Sequence, residues 1–400
     1  MTQPTHQLYL RLVFAEALAH DDPVLGTAFP IGGKAAESLV IGRSPDAHDS
    51  LLLDFDIWSS RANTRLACFQ VGDQHGLVVS DLNSRNGTWV DGRRISQRTP
   101  VSAGQVLRIG STVFVVGERM CDAAGVALDP PTNLPDALPA YCEATISMFN
   151  RLQACPPGNQ TLFLSAETGT NGQAIARWWH RSRRGDSPFV VKHVGPRKLD
   201  SPTATAMFFG DGDHPGWLRQ VQSGSLCIED FQALPEDFAR QLIEDAGRRT
   251  EDAGPQLIAL WASDAGGFPT GMDTALPEHI VYARVPPIRE RRQEILPLFI
   301  EALGEARSVI AGRPCLPNVE LAEAMLTGMW TFNMDGIESL AKRFIDGEAL
   351  TPDEIRLHSD LGGESARATR APGELAASIR EAKQSRRHLT TADETLDRSV

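Results

Sequence analysis

Residues 81–92 read Asp81-Leu-Asn-Ser-Arg-Asn-Gly-Thr-Trp-Val-Asp-Gly92, and this stretch decides how the first part of the chain is interpreted. Asn86-Gly87 is a strong tight-turn signal, because glycine adopts positive φ without strain and asparagine tolerates it better than most residues. β-forming residues flank this turn, and Asp91-Gly92 supplies a second one. A strand, a polar turn, a short strand and a further turn predict a recognition loop at one rim of a β-sandwich.

The polar residues of this loop indicate which kind of ligand it suits. Asn83, Ser84, Arg85 and Asn86 all carry hydrogen-bond donors, and Arg85 is also cationic. We therefore expect an anionic ligand that offers several hydrogen-bond acceptors.

Short β patterns in the surrounding sequence also predict a β-sandwich. Strand candidates are residues 8–14, 28–31, 38–42, 51–54, 65–71, 77–80, 87–90, 105–109 and 112–116. Gly, Asp and Asn separate them, and no helical periodicity competes. This spacing predicts an all-β sandwich or barrel.

Composition limits the possible functions. A chain of 400 residues with 42% hydrophobic residues can form two or three domains with real cores. A net charge of -12 argues against a protein whose main role is to bind a nucleic-acid backbone. The 6 cysteines and 10 histidines show no metal-ligand spacing. There is no signal-peptide pattern and no apolar run of about 18 residues, so we expect a soluble, cytoplasmic protein without a metal site or a membrane partner.

Four segments occur in a recognisable order. They are Ile41-Gly-Arg-Ser44, Trp58-Ser-Ser-Arg-Ala-Asn63, the stretch Asp81–Gly92 and Val106-Leu-Arg-Ile-Gly110. This order resembles the forkhead-associated (FHA) domain, a β-sandwich that binds phosphothreonine. The resemblance implies a phosphopeptide site formed by Arg43, Ser60, Arg61, Asn83, Arg85 and Asn86.

The chemistry of these residues agrees with the resemblance. Phosphothreonine carries about two negative charges and strong acceptor oxygens, so a guanidinium together with neutral donors suits it. Arg43 and Ser60 match the family's phosphate-binding residues, and Arg85 and Asn86 match its contacts to phosphate and peptide. Asn63 stands where the family usually has a bracing histidine, so we expect a less rigid loop. The alternative is an FHA fold whose pocket does not bind.

A proline-rich stretch predicts a domain boundary. Residues 129–139 contain four prolines in eleven residues, which prevents regular pairing and favours a semi-extended spacer. We predict an FHA domain at 1–118, a linker at 119–140, an α/β domain at 141–285, a small helical subdomain at 286–348 and a flexible helical tail at 349–400.

Helical and β patterns alternate after the linker, as in an α/β domain. A strand over Thr161–Ser165 precedes a Gly-rich loop, Ala166–Gln173, and then a helix. Later segments are Gly224–Pro235, Val285–Ile295 and Trp330–Asn333. Their order resembles the P-loop AAA+ ATPase domain of bacterial sigma-54-dependent activators.

The nucleotide site implied by this resemblance departs from the family pattern. Gly172 stands where the P-loop lysine belongs, and the acid pair Glu229-Asp230 is reversed. No arginine precedes Tyr282 at the finger positions, and Asp335 replaces the sensor arginine. Because cations stabilise phosphoryl transfer, we expect no ATPase activity and no nucleotide cofactor. The positions of this degenerate site are Glu167, Gly169, Thr170, Gly172, Glu229 and Asp230.

Two function classes follow from these patterns. The first is a phosphothreonine-dependent signalling adaptor with a catalytically inactive AAA+ scaffold, whose second partner is a paralogous AAA+ protein or a further copy of the chain. The alternative is a sigma-54-type transcription regulator. Two features disfavour this alternative. No sigma-gripping loop occurs between Phe208 and Gly224. The helical segment Gly373–Lys383 precedes no basic recognition helix, so we do not expect DNA as a partner. An active ATPase is a third, weaker possibility.

Overall fold

The computed structural model describes residues 5–31, 38–46, 49–71, 74–121, 134, 138–156, 158, 160–221, 224–248, 255–262, 279–307 and 317–361. Most of the predicted linker and the predicted helix Gly373–Lys383 lie outside these residues. Among the described residues, no helix combines the length and the apolar character needed to cross a membrane.

The N-terminal part is the expected β-sandwich of two sheets. One sheet has the order β2-β1-β11-β10-β7-β8, and the other has the order β4-β3-β5-β6-β9. Leu10, Leu66, Val79 and Phe114 fill the space between the sheets. The strands are β1 (Thr5–Ala15), β2 (Ala28–Ile31), β3 (Ser38–Gly42), β4 (Ser50–Leu52), β5 (Thr64–Val71), β6 (Gln74–Asp81), β7 (Thr88–Val90), β8 (Arg93–Arg94), β9 (Thr99–Val101), β10 (Val106–Ile109) and β11 (Thr112–Cys121).

The turns follow the sequence signals. Asp91 and Gly92 both have positive φ, 47° and 76°, and they join β7 to β8 as a two-residue hairpin in which Val90 pairs with Arg93. Strands β8 and β9 were not expected from the sequence, because each has only two or three residues.

Strand β10 shows why the sandwich is not an isolated module. All four of its residues are buried, although a strand on the surface of a sandwich normally alternates between buried and exposed positions. Leu107 and Ile109 face the sandwich core, whereas Val106 belongs to a second core that it shares with the C-terminal helices. This sheet is therefore covered on both faces.

The α/β domain contains a parallel five-stranded sheet of order β13-β14-β15-β12-β16. Strand β12, which lies between β15 and β16, is almost wholly buried and leads directly into the Gly-rich loop. Its elements are α1 (Glu143–Ala154), β12 (Thr161–Ala166), α2 (Gly172–Arg184), β13 (Phe189–His193), α3 (Ser201–Phe209), α4 (Trp217–Val221), β14 (Ser225–Glu229), α5 (Glu236–Arg248), β15 (Gln256–Ala262) and β16 (Ile280–Arg284).

In the described part of the chain after β16, four further α-helices form the helical subdomain. They are α6 (Ile295–Arg307), α7 (Val319–Leu326), α8 (Asn333–Ile345) and α9 (Pro352–Leu361). Helix α9 begins within the segment predicted as a tail, but Ile355 is fully buried in the subdomain core and His358 Nε2 lies 2.9 Å from Gly336 O. The first part of that segment is therefore packed structure.

Polar contacts reinforce the packing between the sandwich and the C-terminal part. Tyr9 Oη and Arg11 Nε both donate to Gln293 Oε1, at 3.0 and 2.9 Å. Arg292 Nη1 lies 3.0 Å from Asp91 Oδ1 in the hairpin turn. These contacts hold the sandwich against the segment that leads into α6.

Candidate functional sites

Two loops of the sandwich are joined by backbone hydrogen bonds at one rim. Arg43 N donates to Ser60 O at 2.9 Å, and Ser44 N donates to Arg61 O at 3.0 Å. Gly42 allows this approach, since a Cβ at that position would lie only 2.2 Å from Arg61 O. The glycine of the first loop thus sets the spacing between Arg43 and the Ser60-Arg61 pair.

The third loop joins the same cluster through Ser60 and Asn86. Ser60 Oγ accepts a hydrogen bond from Arg85 N at 3.0 Å. Asn86 Nδ2 donates to Trp58 O at 2.5 Å. The structure therefore brings together five of the six predicted site residues, Arg43, Ser60, Arg61, Arg85 and Asn86. Asn83 lies in the same third loop, exposed and with a φ of 57°.

Asn63 braces the second loop. Its side chain is fully buried, its Oδ1 accepts from Ser60 N at 3.1 Å, and its Nδ2 donates to Thr64 Oγ1 at 3.2 Å. The backbone adds Leu82 N donating to Asn63 O at 2.9 Å. The short carboxamide thus makes bracing hydrogen bonds, and the looser loop expected from the missing imidazole is not apparent in these contacts.

Asp81 fixes the third loop from inside. One carboxylate oxygen accepts from Ser84 Oγ at 2.6 Å and from Thr88 Oγ1 at 2.7 Å, and the other accepts from Ser84 N at 3.0 Å. Ser84 is consequently buried, so it supports the loop and does not present a donor to a ligand.

The outer face of the cluster is cationic. The side chains of Arg43, Arg61 and Arg85 are exposed, and none has an ion-pair partner within the described part of the chain. The hydroxyl of Ser60 and the carboxamide of Asn86 belong to the same cluster, because Ser60 bonds to Arg85 N and Asn86 bonds to Trp58 O. Guanidinium groups beside neutral donors can bind a phosphate with charge-assisted hydrogen bonds.

The Gly-rich loop of the α/β domain has a different environment. Glu167 and Arg289 form a two-pronged ion pair, with Nη1–Oε2 and Nη2–Oε1 distances of 2.7 and 2.5 Å. Hydrogen bonding to Arg289 lowers the pKa of Glu167. Arg284 and Glu290 form a second such pair next to it, with both N–O distances 2.8 Å. Arginines are thus present near this loop, but each one is paired with a carboxylate of the chain.

Helix α8 begins directly on the Gly-rich loop. Asn333 Nδ2 donates to Thr168 O at 2.9 Å, and Met334 N donates to Gly169 O at 2.8 Å. A Cβ on Gly169 would lie 2.6 Å from Phe332 O. The helical subdomain therefore contacts the backbone of the loop where a P-loop would hold phosphates.

The predicted acid pair is also occupied by side chains of the chain. Glu229 accepts from Gln173 Nε2 and contacts His193 Nε2, both at 2.6 Å. Asp230 has a φ of 56° and accepts from Gln232 Nε2 at 3.3 Å. Among the described residues, no group of three or more His, Cys, Asp or Glu side chains is placed to hold a metal ion.

The remaining predicted positions have structural roles. Thr170 is buried and its hydroxyl donates to Glu167 O at 2.7 Å, while Gly172 is the first residue of α2. Sequence reasoning missed Arg289, Gln173 and Asn333 as members of this site. A signal existed for Gln173, which occupies the position of the P-loop Ser or Thr.

The comparison with known families decides what the β-sandwich is. Residues 39–110 match the family described as the FHA domain. This part of the chain is an FHA domain. The match confirms the resemblance inferred from the four sequence segments. It covers all three loops of the cationic cluster.

About half of the chain is similar to bacterial regulatory proteins. The response regulator protein PilR from Pseudomonas aeruginosa is 24% identical over 249 residues, covering 55% of this chain and 54% of PilR. The sigma54-dependent transcriptional regulator SfnR from Pseudomonas fluorescens is 24% identical over 187 residues, covering 40% of this chain and 50% of SfnR. The chain thus spans about half the length of these curated relatives.

A solved structure gives a further likeness. The crystal structure of NtrX from Brucella abortus in complex with ATP is 16% identical, covers 56% of this chain and 59% of its own, and has a TM-score of 0.43. The FHA domain is followed by an α/β domain with a parallel sheet and helices, as the sequence predicts.

Proposed function

We propose that this chain is a phosphothreonine-dependent, cytoplasmic adaptor whose AAA+-like domain is a catalytically inactive scaffold. The observation that carries the first part is the cationic cluster of the FHA domain. Its exposed arginines have no partner within the described residues, and Ser60 and Asn86 are held beside them by hydrogen bonds between loops. A preorganised set of donors binds an anion without the cost of ordering the loops.

The inactive scaffold is supported by the contacts around the Gly-rich loop. Arg289 is neutralised by Glu167, and Glu229 accepts a hydrogen bond from Gln173 where an active site would use Mg²⁺. The start of α8 contacts Thr168 and Gly169 directly. A nucleotide would have to break these contacts before it could bind.

A binding assay with the full chain tests the adaptor function. Fluorescence anisotropy compares a degenerate phosphothreonine peptide library with its unphosphorylated counterpart. We expect binding only to the phosphorylated library, and a loss of at least about tenfold in Arg43→Ala and Ser60→Ala, because each removes a charge-assisted contact. Arg240→Ala removes an exposed arginine of α5 and serves as the matched control. Equal binding to both libraries would refute the proposal.

The relatives favour a second candidate, a sigma-54-type regulator acting through its AAA+-like domain. This candidate predicts that the chain alters transcription by sigma-54 polymerase, alone or mixed with an active AAA+ relative. A transcription assay in vitro separates the two candidates, since the adaptor alone should leave the yield of transcript unchanged.

A further inference from the structure

Two neighbouring apolar side chains of the FHA domain are held in solvent. Ile57 is 69% exposed and Trp58 is 60% exposed, the highest values among the large apolar side chains described. Single exposed apolar residues are common on protein surfaces. An adjacent isoleucine and tryptophan on a recognition rim are less easily explained by folding, because side chains this exposed add little apolar burial to the stability of the domain.

Asp56 anchors the segment that carries this pair to the interior of the domain. The buried carboxylate of Asp56 accepts from Ser111 N, Ser111 Oγ and Thr112 Oγ1, at 2.9, 2.9 and 2.7 Å. It also accepts from Trp58 N at 2.9 Å. Three of these hydrogen bonds join the segment to Ser111 and to Thr112, the first residue of β11, and the fourth closes a turn within the segment.

Gly110 shows how closely this segment packs against the turn before β11. Its φ is 61°, and a Cβ there would lie 2.6 Å from Asp56 Oδ2 and 2.8 Å from Ser59 N. Because the backbone is fixed, the exposure of Ile57 and Trp58 is a property of a rigid surface. A rigid apolar surface binds a partner with a small loss of conformational entropy.

The pair is continuous with the cationic cluster. Trp58 O accepts the hydrogen bond from Asn86 Nδ2, and Ser60 lies two residues further along the same segment. An extended peptide advances about 3.3 Å per residue. A peptide whose phosphate lies against Arg43 and Ser60 would therefore place one of its nearby side chains over Trp58.

We infer that Ile57 and Trp58 form an apolar subsite that selects phosphothreonine peptides with a bulky aliphatic or aromatic residue close to the phosphothreonine. This inference rests on the proposed phosphothreonine binding and narrows its partner class. The adjoining arginines favour this occupant over a wholly apolar partner surface, because such a surface would bury Arg43, Arg61 and Arg85 without anions.

The test uses the full chain and a phosphothreonine peptide array in which each flanking position is, in turn, Leu, Phe, Ser or Asp. We expect wild type to prefer Leu or Phe at one flanking position by about tenfold, as burial of one large side chain allows. The double variant Ile57→Ser, Trp58→Ser should lose this preference and keep its dependence on phosphorylation. Met329→Ser removes another exposed apolar residue, from the helical subdomain, and should behave as wild type.

Each other outcome is informative. Phosphorylation-dependent binding without an apolar preference, or a preference unchanged in the double variant, overturns the subsite and leaves the proposed function standing. Equal binding to unphosphorylated arrays overturns both. If sedimentation shows that wild type dimerises and the double variant does not, and no apolar preference exists, the pair is a contact between two copies and the inference is wrong. Thermal melting of both variants establishes that they are folded.

Discussion

Arg108 of β10 and Glu323 of α7 form a buried ion pair, with Arg108 Nε 2.9 Å from Glu323 Oε2. The Arg108 guanidinium also lies 4.2 Å above the centre of the Trp89 ring, and Trp89 Nε1 donates to Asn86 O at 3.2 Å. Contiguous contacts therefore join the cationic rim of the FHA domain to the helical subdomain. The two parts form one packed body, although the proline-rich linker alone would suggest separate modules.

Glu323→Ala should destabilise the protein strongly. The substitution leaves the guanidinium of Arg108 buried without its carboxylate, which typically costs about 3–5 kcal/mol. The free energy of unfolding from urea titration measures the loss. Glu320→Ala changes an exposed glutamate of the same helix and should have an effect within about 0.5 kcal/mol. Similar values for the two variants would mean that the ion pair does not hold the domains together.

Stability conferred by Glu167 should disappear at acidic pH. Hydrogen bonding to Arg289 lowers the pKa of Glu167, so the pair stabilises the fold above the unfolded pKa of about 4.3 and loses its effect as pH falls through the lower folded value. The stability difference between wild type and Glu167→Gln should be about 1–2 kcal/mol at pH 7. Urea unfolding at pH 7 and near pH 3 tests this, and a difference independent of pH would contradict it.

Asn63→Ala should weaken phosphopeptide binding although Asn63 lies inside the domain. The buried carboxamide accepts a hydrogen bond from Ser60 N and donates to the hydroxyls of Thr64 and Thr88. Its loss leaves Ser60 N without this acceptor, at a cost of about 1–3 kcal/mol. Both the free energy of unfolding and the peptide affinity should fall. Asn63→His, which restores the residue usual in FHA domains, tests whether an imidazole can serve as the brace. Unchanged affinity in a folded Asn63→Ala variant would exclude a bracing role.

The FHA rim could be predicted from the sequence because its chemistry is local. Gly42, Gly87 and the Asp91-Gly92 turn determine the loop geometry within a few residues of themselves, and the order of the motifs places Arg43 and Ser60 on one rim. The hydrogen-bonding role of Asn63 was harder to predict, since it depends on Thr64 and Thr88 being close in space.

The contacts around the Gly-rich loop and the domain interface could not be predicted in the same way. Glu167 and Arg289 are 122 residues apart, and Arg108 and Glu323 are 215 residues apart. No local periodicity reports such pairs. The complete burial of β10 was not visible in its sequence either, because Val106-Leu-Arg-Ile109 contains an arginine, a residue type that is usually exposed.

Adding back the missing P-loop lysine should not restore nucleotide binding. Gly172 has room for a side chain, because a Cβ there would meet Leu260 and Ala166 only at ordinary contact distances of 3.7 and 3.9 Å. Gly172→Lys should therefore fold. The contacts of Arg289 with the Glu167 carboxylate and of Asn333 with the Thr168 carbonyl oxygen would remain, so the loop would still be held against the helical subdomain and the segment before it.

Thermal melting with and without MgATP measures this, because a ligand at 100 times its Kd stabilises the folded state by about 2.7 kcal/mol. We expect no rise in Tm for wild type or Gly172→Lys. The double variant Gly172→Lys, Glu167→Gly removes the carboxylate that neutralises Arg289, and it is the combination in which a rise can occur. A rise in Gly172→Lys alone would show that the lysine is the whole deficit, and that the contacts of Arg289 and Asn333 yield readily to a nucleotide.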